Sequence, residues 1–428
     1  MGITAILQRL HLLRSEEWDP PTPLDHLLTD MQSWPLFIIP IHLHFLRLVI
    51  THLYHLFLFL RGHAFHPPSH IPPIRVVCIS DTHNYELDLA KIPDGEGGLL
   101  IHAGDLTDDG SRESIQRQLD WLGEVRRRKG FERVLVVAGN HDGWLDKEGA
   151  RQVLFGEGSK GDAELTWPEG VQYLDGMAGE GGENGGVMTI EFEGRAKGRR
   201  LNVWGWGGVP RCGGPEHAFQ YDRASHPWTN RIPVETDILI THTPPRHHLD
   251  LGLGCAGLLA ELWRVKPKLH VFGHVHWGAG REAVYYDECQ RAYESLMARG
   301  ADVPFPPAFP SIFSFPASVS ALSQSASQNR QEPRSKMQEK QKPTNLVNIL
   351  MLPVYFGLTL SLYFVKVFER VWMDSMDAAR VIWHGITAVV WKWVMQGPGS
   401  NNGALLVNAS VTYGNTGKVI NPVQVVEL

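Results

Sequence analysis

Four cysteines, Cys78, Cys212, Cys255 and Cys289, are spread over 428 residues without a C-x-x-C pair. That spacing excludes a zinc knuckle, offers no disulfide framework and fits a reducing compartment. Basic runs are as scarce. The formal net charge is −6, and the one cluster, Arg126 to Lys129, sits on a predicted helix where it reads as a solvated face. No nucleic-acid-binding surface is therefore expected. No internal repeat is visible. A signal peptide fits poorly, because the first long apolar run is neither directly preceded by a basic segment nor followed by a small-residue cleavage site.

The chain does have apolar content, 43 %, enough for the two to three domains that its length suggests. Residues 1–73 read as an N-terminal extension around the apolar run 34–60, whose only formal charge is Arg47. His44, Arg47, Thr51 and His55 recur there at three- and four-residue spacing, so a spanning helix and one lying in the membrane interface both stay open. Residues 74–300 read as an α/β domain, with "RVVCIS", "GGLLIHAG", "RVLVVAG", "TDILIT" and "KLHVFG" as strands of a largely parallel sheet. Ser111 to Lys129 predicts a helix capped by Ser111 and ended by Gly130. Residues 301–345, rich in Pro, Ser and Gln, predict a disordered linker. Residues 346–400 hold two apolar stretches, 346–368 and 381–395, and predict a hairpin-like, membrane-associated insert; 401–428 is strand-like.

Polar residues follow the core strands in a regular way. Asp81 and His83 come after the first; Asp105 and Asp108 after the second; Asn140, His141 and Asp142 after the third; His242 after the fourth; His274 and His276 after the fifth. Each group alone is weak. Together they occupy one structural slot, the carboxyl edge of the sheet, where ligands bind in open α/β folds. Oxygen and imidazole donors without thiolate suit Mn, Fe, Zn or Ni.

"DTH" at 81, "GDLTDDG" at 104, "GNHD" at 139, "THTPP" at 241 and "GHVH" at 273 stand in this order. In these motifs the chain resembles the calcineurin-like metallophosphoesterase superfamily. "DILITHTPP" and "VKPKLHVFG" make it similar to the metallophosphoesterase-domain-containing branch of animals and fungi, a class III phosphodiesterase-like group, in a fungal-type member. The resemblance covers 74–290 and resumes near 404.

It implies an αββα sandwich of two mixed sheets flanked by helices, here with an added hydrophobic N-terminal segment and an insertion. It also implies two divalent metal ions, one held by Asp81, His83, Asp105 and His276, the other by Asp105, Asn140, His242 and His274. Such a pair lowers the pKa of a bridging water for in-line attack on a phosphate ester. His141 is then the proton donor to the leaving oxygen, with the Asp108 carboxylate orienting its imidazole. Protein phosphatases of the superfamily carry Arg where this chain has Asp109, and a second anion there disfavours a dianionic monoester. The expected activity is phosphodiester hydrolysis of a small-molecule substrate. A phosphomonoesterase or protein phosphatase, or an inactive membrane-attached scaffold, are the alternatives.

If 401–428 completes the catalytic domain, both ends of the insertion lie on one side of any bilayer. The insertion then crosses twice or lies on the surface, and Lys392 with the Trp residues at 383, 391 and 393 suits the surface. The expected location is intracellular, membrane-associated, with the catalytic domain facing the cytosol.

Overall fold

The computed structural model describes residues 38–62, 64, 72–147, 149–156, 164–177, 186–301, 346–395 and 403–428. Most of the N-terminal extension before Ile38 and the predicted linker beyond Ala301 lie outside the described residues.

Eleven strands form two sheets: β1 (Arg75–Ile79), β2 (Leu99–Ala103), β3 (Arg133–Val137), β4 (Val171–Tyr173), β5 (Met188–Glu191), β6 (Arg200–Trp206), β7 (Ile238–Thr241), β8 (Leu269–Phe272), β9 (Gly280–Val284), β10 (Ala404–Asn408) and β11 (Gln424–Glu427). The described helices of six or more residues are α1 (Ile38–Arg61), α2 (Arg112–Lys129), α3 (Ala150–Phe155), α4 (Ala256–Val265), α5 (Glu288–Ala301) and α6 (Leu346–Met395). The first sheet has the order β11-β1-β2-β3-β4 and the second β9-β10-β8-β7-β6-β5. Strands β1 to β4 are parallel, as are β6, β7, β8 and β10, while β11, β9 and β5 are antiparallel edges.

The strands are apolar on both faces because both faces are covered. Val76, Cys78, Leu99, Ile101 and Val137 face Ile238, Ile240, Leu269, Val271 and Val407 across the gap between the sheets. Their neighbours Val77, Ile79, Leu100, Val134 and Val136 point outward onto Ile115, Leu119 and Leu122 of α2. The second sheet is covered likewise by Leu258, Leu262 and Val265 of α4. Helix α2 starts at the Ser111 cap, whose side chain accepts from Ser114 N, and ends at Gly130 with φ 68°. The result is the four-layered α/β sandwich of mixed sheets.

The last strands divide between the sheets. Strand β10 sits between β8 and β9, and β11 pairs with β1. The 102-residue excursion between α5 and β10, residues 302–403, therefore leaves and returns at neighbouring strands. It is not a hairpin: α6 runs unbroken from Leu346 to Met395. The charged stretch between its two apolar runs, which reads as a turn in isolation, instead finds partners on other helices. Asp374 meets Arg47 of α1 and Arg299 of α5, and Asp377 also meets Arg299.

Among the described residues no helix is long and apolar enough to cross a membrane. Helix α1 is interrupted by Arg47, Thr51, His52 and His55, and α6 by Glu369, Arg370, Asp374, Asp377 and Arg380.

Candidate metal centre

Five loops at the carboxyl ends of β1, β2, β3, β7 and β8 bring the predicted residues together. A third donor group, His83, Asp108 and His141, flanks two that share a carboxylate, Asp81, His83, Asp105 and His276 in one and Asp105, His242 and His274 in the other. Asp105 belongs to both. Asn140 joins the second, with Oδ1 3.2 Å from His242 Nε2.

The backbone is bent to achieve this. Asp81, His83, Asp105 and His274 all have φ between 47° and 67°, a left-handed conformation that costs a non-glycine residue about 1 kcal/mol or more and persists only where the surroundings enforce it. The motif glycines leave the room. A Cβ on Gly139 would lie 2.1 Å from Asp105 Oδ1, and one on Gly273 2.2 Å from Asp81 Oδ2.

Hydrogen bonds from outside the centre fix which ring nitrogen faces in. His242 Nδ1 lies 2.8 Å from Ala103 O, and His276 Nδ1 2.8 Å from Gly414 O. A carbonyl only accepts, so each ring carries its proton on Nδ1 and turns the Nε2 lone pair inward. His83 Nδ1 lies 2.7 Å from the Asp108 carboxylate in an ion-pair contact. The Nε2 atoms of His83 and His276 face each other at 3.3 Å. His242 Nε2 likewise faces Asp105 Oδ2 at 3.3 Å and Asn140 Oδ1 at 3.2 Å. Ring nitrogens and oxygens that converge in this way favour positive charge between them, and the donor set fits a borderline divalent ion.

Electrostatics point the same way. Burial alone would lower the pKa of His242, but Asp105 beside it raises it to about 9; for His83 the Asp108 and Asp105 carboxylates do the same, also to about 9. Burial works against ionised Asp105, yet His242 and His141 hold it well below the usual carboxylate range. Positive charge is thus favoured in both groups.

One predicted role is corrected. The Asp108 carboxylate contacts His83, not His141; His141 is oriented instead by the main chain, its Nδ1 lying 3.1 Å from Asp108 O. Asp109 is corrected too. Its carboxylate accepts from Ser111 Oγ at 2.9 Å and Ser114 Oγ at 3.1 Å at the start of α2, so it turns away from the centre.

Several supports were given no role in the centre by sequence. Asp142 is fully buried and accepts from the amides of Gly139, Leu106 and Thr107, tying two motif loops together. It lies inside "GNHD", and its place directly after the ligand loop was the available signal. Thr412 Oγ1 donates to Asp81 O at 2.6 Å, and Asn140 Nδ2 lies 3.2 Å from His217 Nδ1. These partners are 331 and 77 residues away, with no motif to mark them. A cleft opens over the centre, lined among others by His141, His217, Cys212, Leu253 and Trp277, with no Lys or Arg.

The sequence profile of the calcineurin-like phosphoesterases matches residues 74–278. A UPF0046 protein of Caenorhabditis elegans is 31% identical over 262 residues, which cover 55% of this chain and 82% of that protein. The chain belongs to the calcineurin-like phosphoesterase family. Human metallophosphoesterase domain-containing protein 1 is 32% identical over 235 residues, 50% of this chain and 63% of that protein. A protein of Emericella nidulans named probable rhamnogalacturonate lyase C is 40% identical over 227 residues, but the chain covers only 19% of it. The chain thus spans less than two thirds of several of the curated relatives it matches, and the family assignment rests on residues 74–278 and their supporting strands.

Proposed function

We propose that the protein is a binuclear metal-dependent phosphodiesterase. The observation that carries this reading is the convergence of ring nitrogens of His83, His242 and His276 on Asp81, Asp105 and Asn140. Asp81, His83, Asp105 and His276 would hold one cation, and Asp105, Asn140, His242 and His274 the other. When bound, the cations would act as Lewis acids on the phosphoryl oxygens and lower the pKa of a water for attack. Asp105 supplies one carboxylate to both groups; its Oδ1 also accepts from His141 N at 2.9 Å, so the His141 loop is registered on the same carboxylate. His141 lines the cleft with Nδ1 tied to Asp108 O, which leaves Nε2, protonated in the imidazolium form, to hand a proton to the departing oxygen.

The preference for a diester rests on the cleft lining. Among the described residues that line the cleft there is no Lys or Arg, so none of its walls supplies a cation for the second charge of a monoester. The corrected direction of Asp109 removes repulsion as the reason and leaves this lack of cations in its place.

The test uses the full chain loaded with manganese and assayed on an aryl phosphodiester beside the matching monoester. Faster diester turnover, lost in Asp105→Asn and His141→Ala, is the expected result. Faster monoester turnover would reverse the specificity, and two bound metals with neither ester cleaved would favour a non-catalytic role.

A further inference from the structure

Helices α1, α5 and α6 pack around Ile50, Tyr54, Phe57, Tyr293, Leu296 and Val381. Their polarity is inverted beyond that seam. Several charged groups turn inward: Asp374 is fully buried between Arg47 and Arg299, and Arg61 pairs with Asp287 at 2.7 Å. Lys392 bends back to donate to Leu60 O and Arg61 O, capping the carboxyl end of α1. The large apolar side chains face out. Phe59 is 81% exposed and Trp393 71%, and Phe45, Phe368, Trp372, Trp383, Ile386 and Trp391 are exposed with them.

From Val381 to Val394 every exposed residue is apolar, and none carries a charge. A water-facing helix has the opposite distribution, and exposed patches of this kind mark a binding surface.

We infer that this layer lies flat in one leaflet of a lipid bilayer, immersed by the α1 and α6 faces. The composition selects lipid over a protein partner: four tryptophans on one helix suit the headgroup boundary, and an uncharged face has nothing to pair with a polar rim. The connections permit it, since the segment departs and returns beside the adjacent strands β9 and β10 and no helix described crosses. The lack of exposed lysine and arginine on the 381–394 face sets a further property. Binding is driven by apolar burial, so it needs no anionic lipid and resists salt.

The test is flotation of the full chain, freed of detergent, with neutral phosphatidylcholine vesicles and with vesicles containing phosphatidylserine, at low and high salt. The expected result is equal flotation in all four conditions, reduced about tenfold or more in a Trp383→Glu/Trp393→Glu variant and unchanged in the off-face control Val234→Glu. Light scattering and circular dichroism on each variant separate loss of binding from loss of fold. Tryptophan quenching by brominated lipid gives a second readout on the unsubstituted chain. Flotation only on anionic vesicles would overturn the inference, as would a non-floating dimer that the double variant dissociates, or a monomer that does not float.

Discussion

The side-chain amide of Asn140 lies 3.2 Å from Nδ1 of His217, so its other atom, Oδ1, is turned toward His242. An asparagine flips freely between two nearly equivalent orientations unless a partner distinguishes them. His217, on the long connection between β6 and β7, supplies that distinction. It acts through Asn140, as a positioning residue. His217→Ala is expected to weaken divalent-metal binding about tenfold, with partial recovery in His217→Gln, as measured by metal titration; unchanged affinity in both would remove the role.

The two contacts of Asp108 lead to separate expectations. Its carboxylate steadies His83, while its carbonyl steadies His141. Asp108→Asn should therefore lower metal affinity by about ten- to a hundredfold while leaving the His141 dependence of the rate in place. His141→Ala should do the reverse, cutting turnover by about 10² to 10⁴ with two metals still bound. Elemental analysis alongside turnover distinguishes the pair, and equal metal loss in both variants would contradict the assignment.

Gly139 admits no side chain. Gly139→Ala would place a methyl 2.1 Å from Asp105 Oδ1 and 2.3 Å from its amide nitrogen. The bridging carboxylate must then move, and both metal groups contain it. The expected outcome is loss of metal binding and turnover with the sheets intact by circular dichroism; a fully active Gly139→Ala would show that the loop yields more easily than its contacts indicate.

Far from the centre, His248 is fully buried with Nδ1 3.0 Å from Glu282 and Nε2 3.0 Å from Glu294. Burial alone would lower its pKa, but the two carboxylates raise it from 6.5 to about 10. The folded chain thus holds a proton that the unfolded chain gives up between these values. The stabilisation is fully present below about pH 6.5 and is lost as pH climbs through about 10. His248→Gln, which leaves two carboxylates without their cation, should cost about 3 kcal/mol near neutral pH. Its thermal midpoint should fall less steeply than that of the unsubstituted chain between pH 7 and 10; parallel curves would refute the link.

The ligand residues were legible because each follows an apolar run in a short motif, and the carboxyl edge of a sheet gathers such positions whatever the loops do. What stayed hidden depends on distance in sequence. Nothing in "FERVWMDSMDAAR" reveals that Asp374 meets Arg47 and Arg299, so a continuous helix read as two arms of a hairpin. Asp109 read as a charge facing substrate because motif spacing fixes position but not side-chain direction. The hydroxyls of Ser111 and Ser114 decide that direction. His217 and Cys212 reached the cleft lining from an irregular connection with no periodic signal.

Strands β10 and β11 carry a consequence for the order of synthesis. Thr412 and Gly414, which hold Asp81 and His276, lie beyond α6 in the chain. A ribosome therefore finishes the tryptophan-bearing helix before it delivers the last supports of the metal centre. A nascent chain stopped before Ala404 holds all of the candidate donors yet lacks the strand between β8 and β9. Placement of the helical layer can precede completion of the centre, whose last supports are made only after that layer.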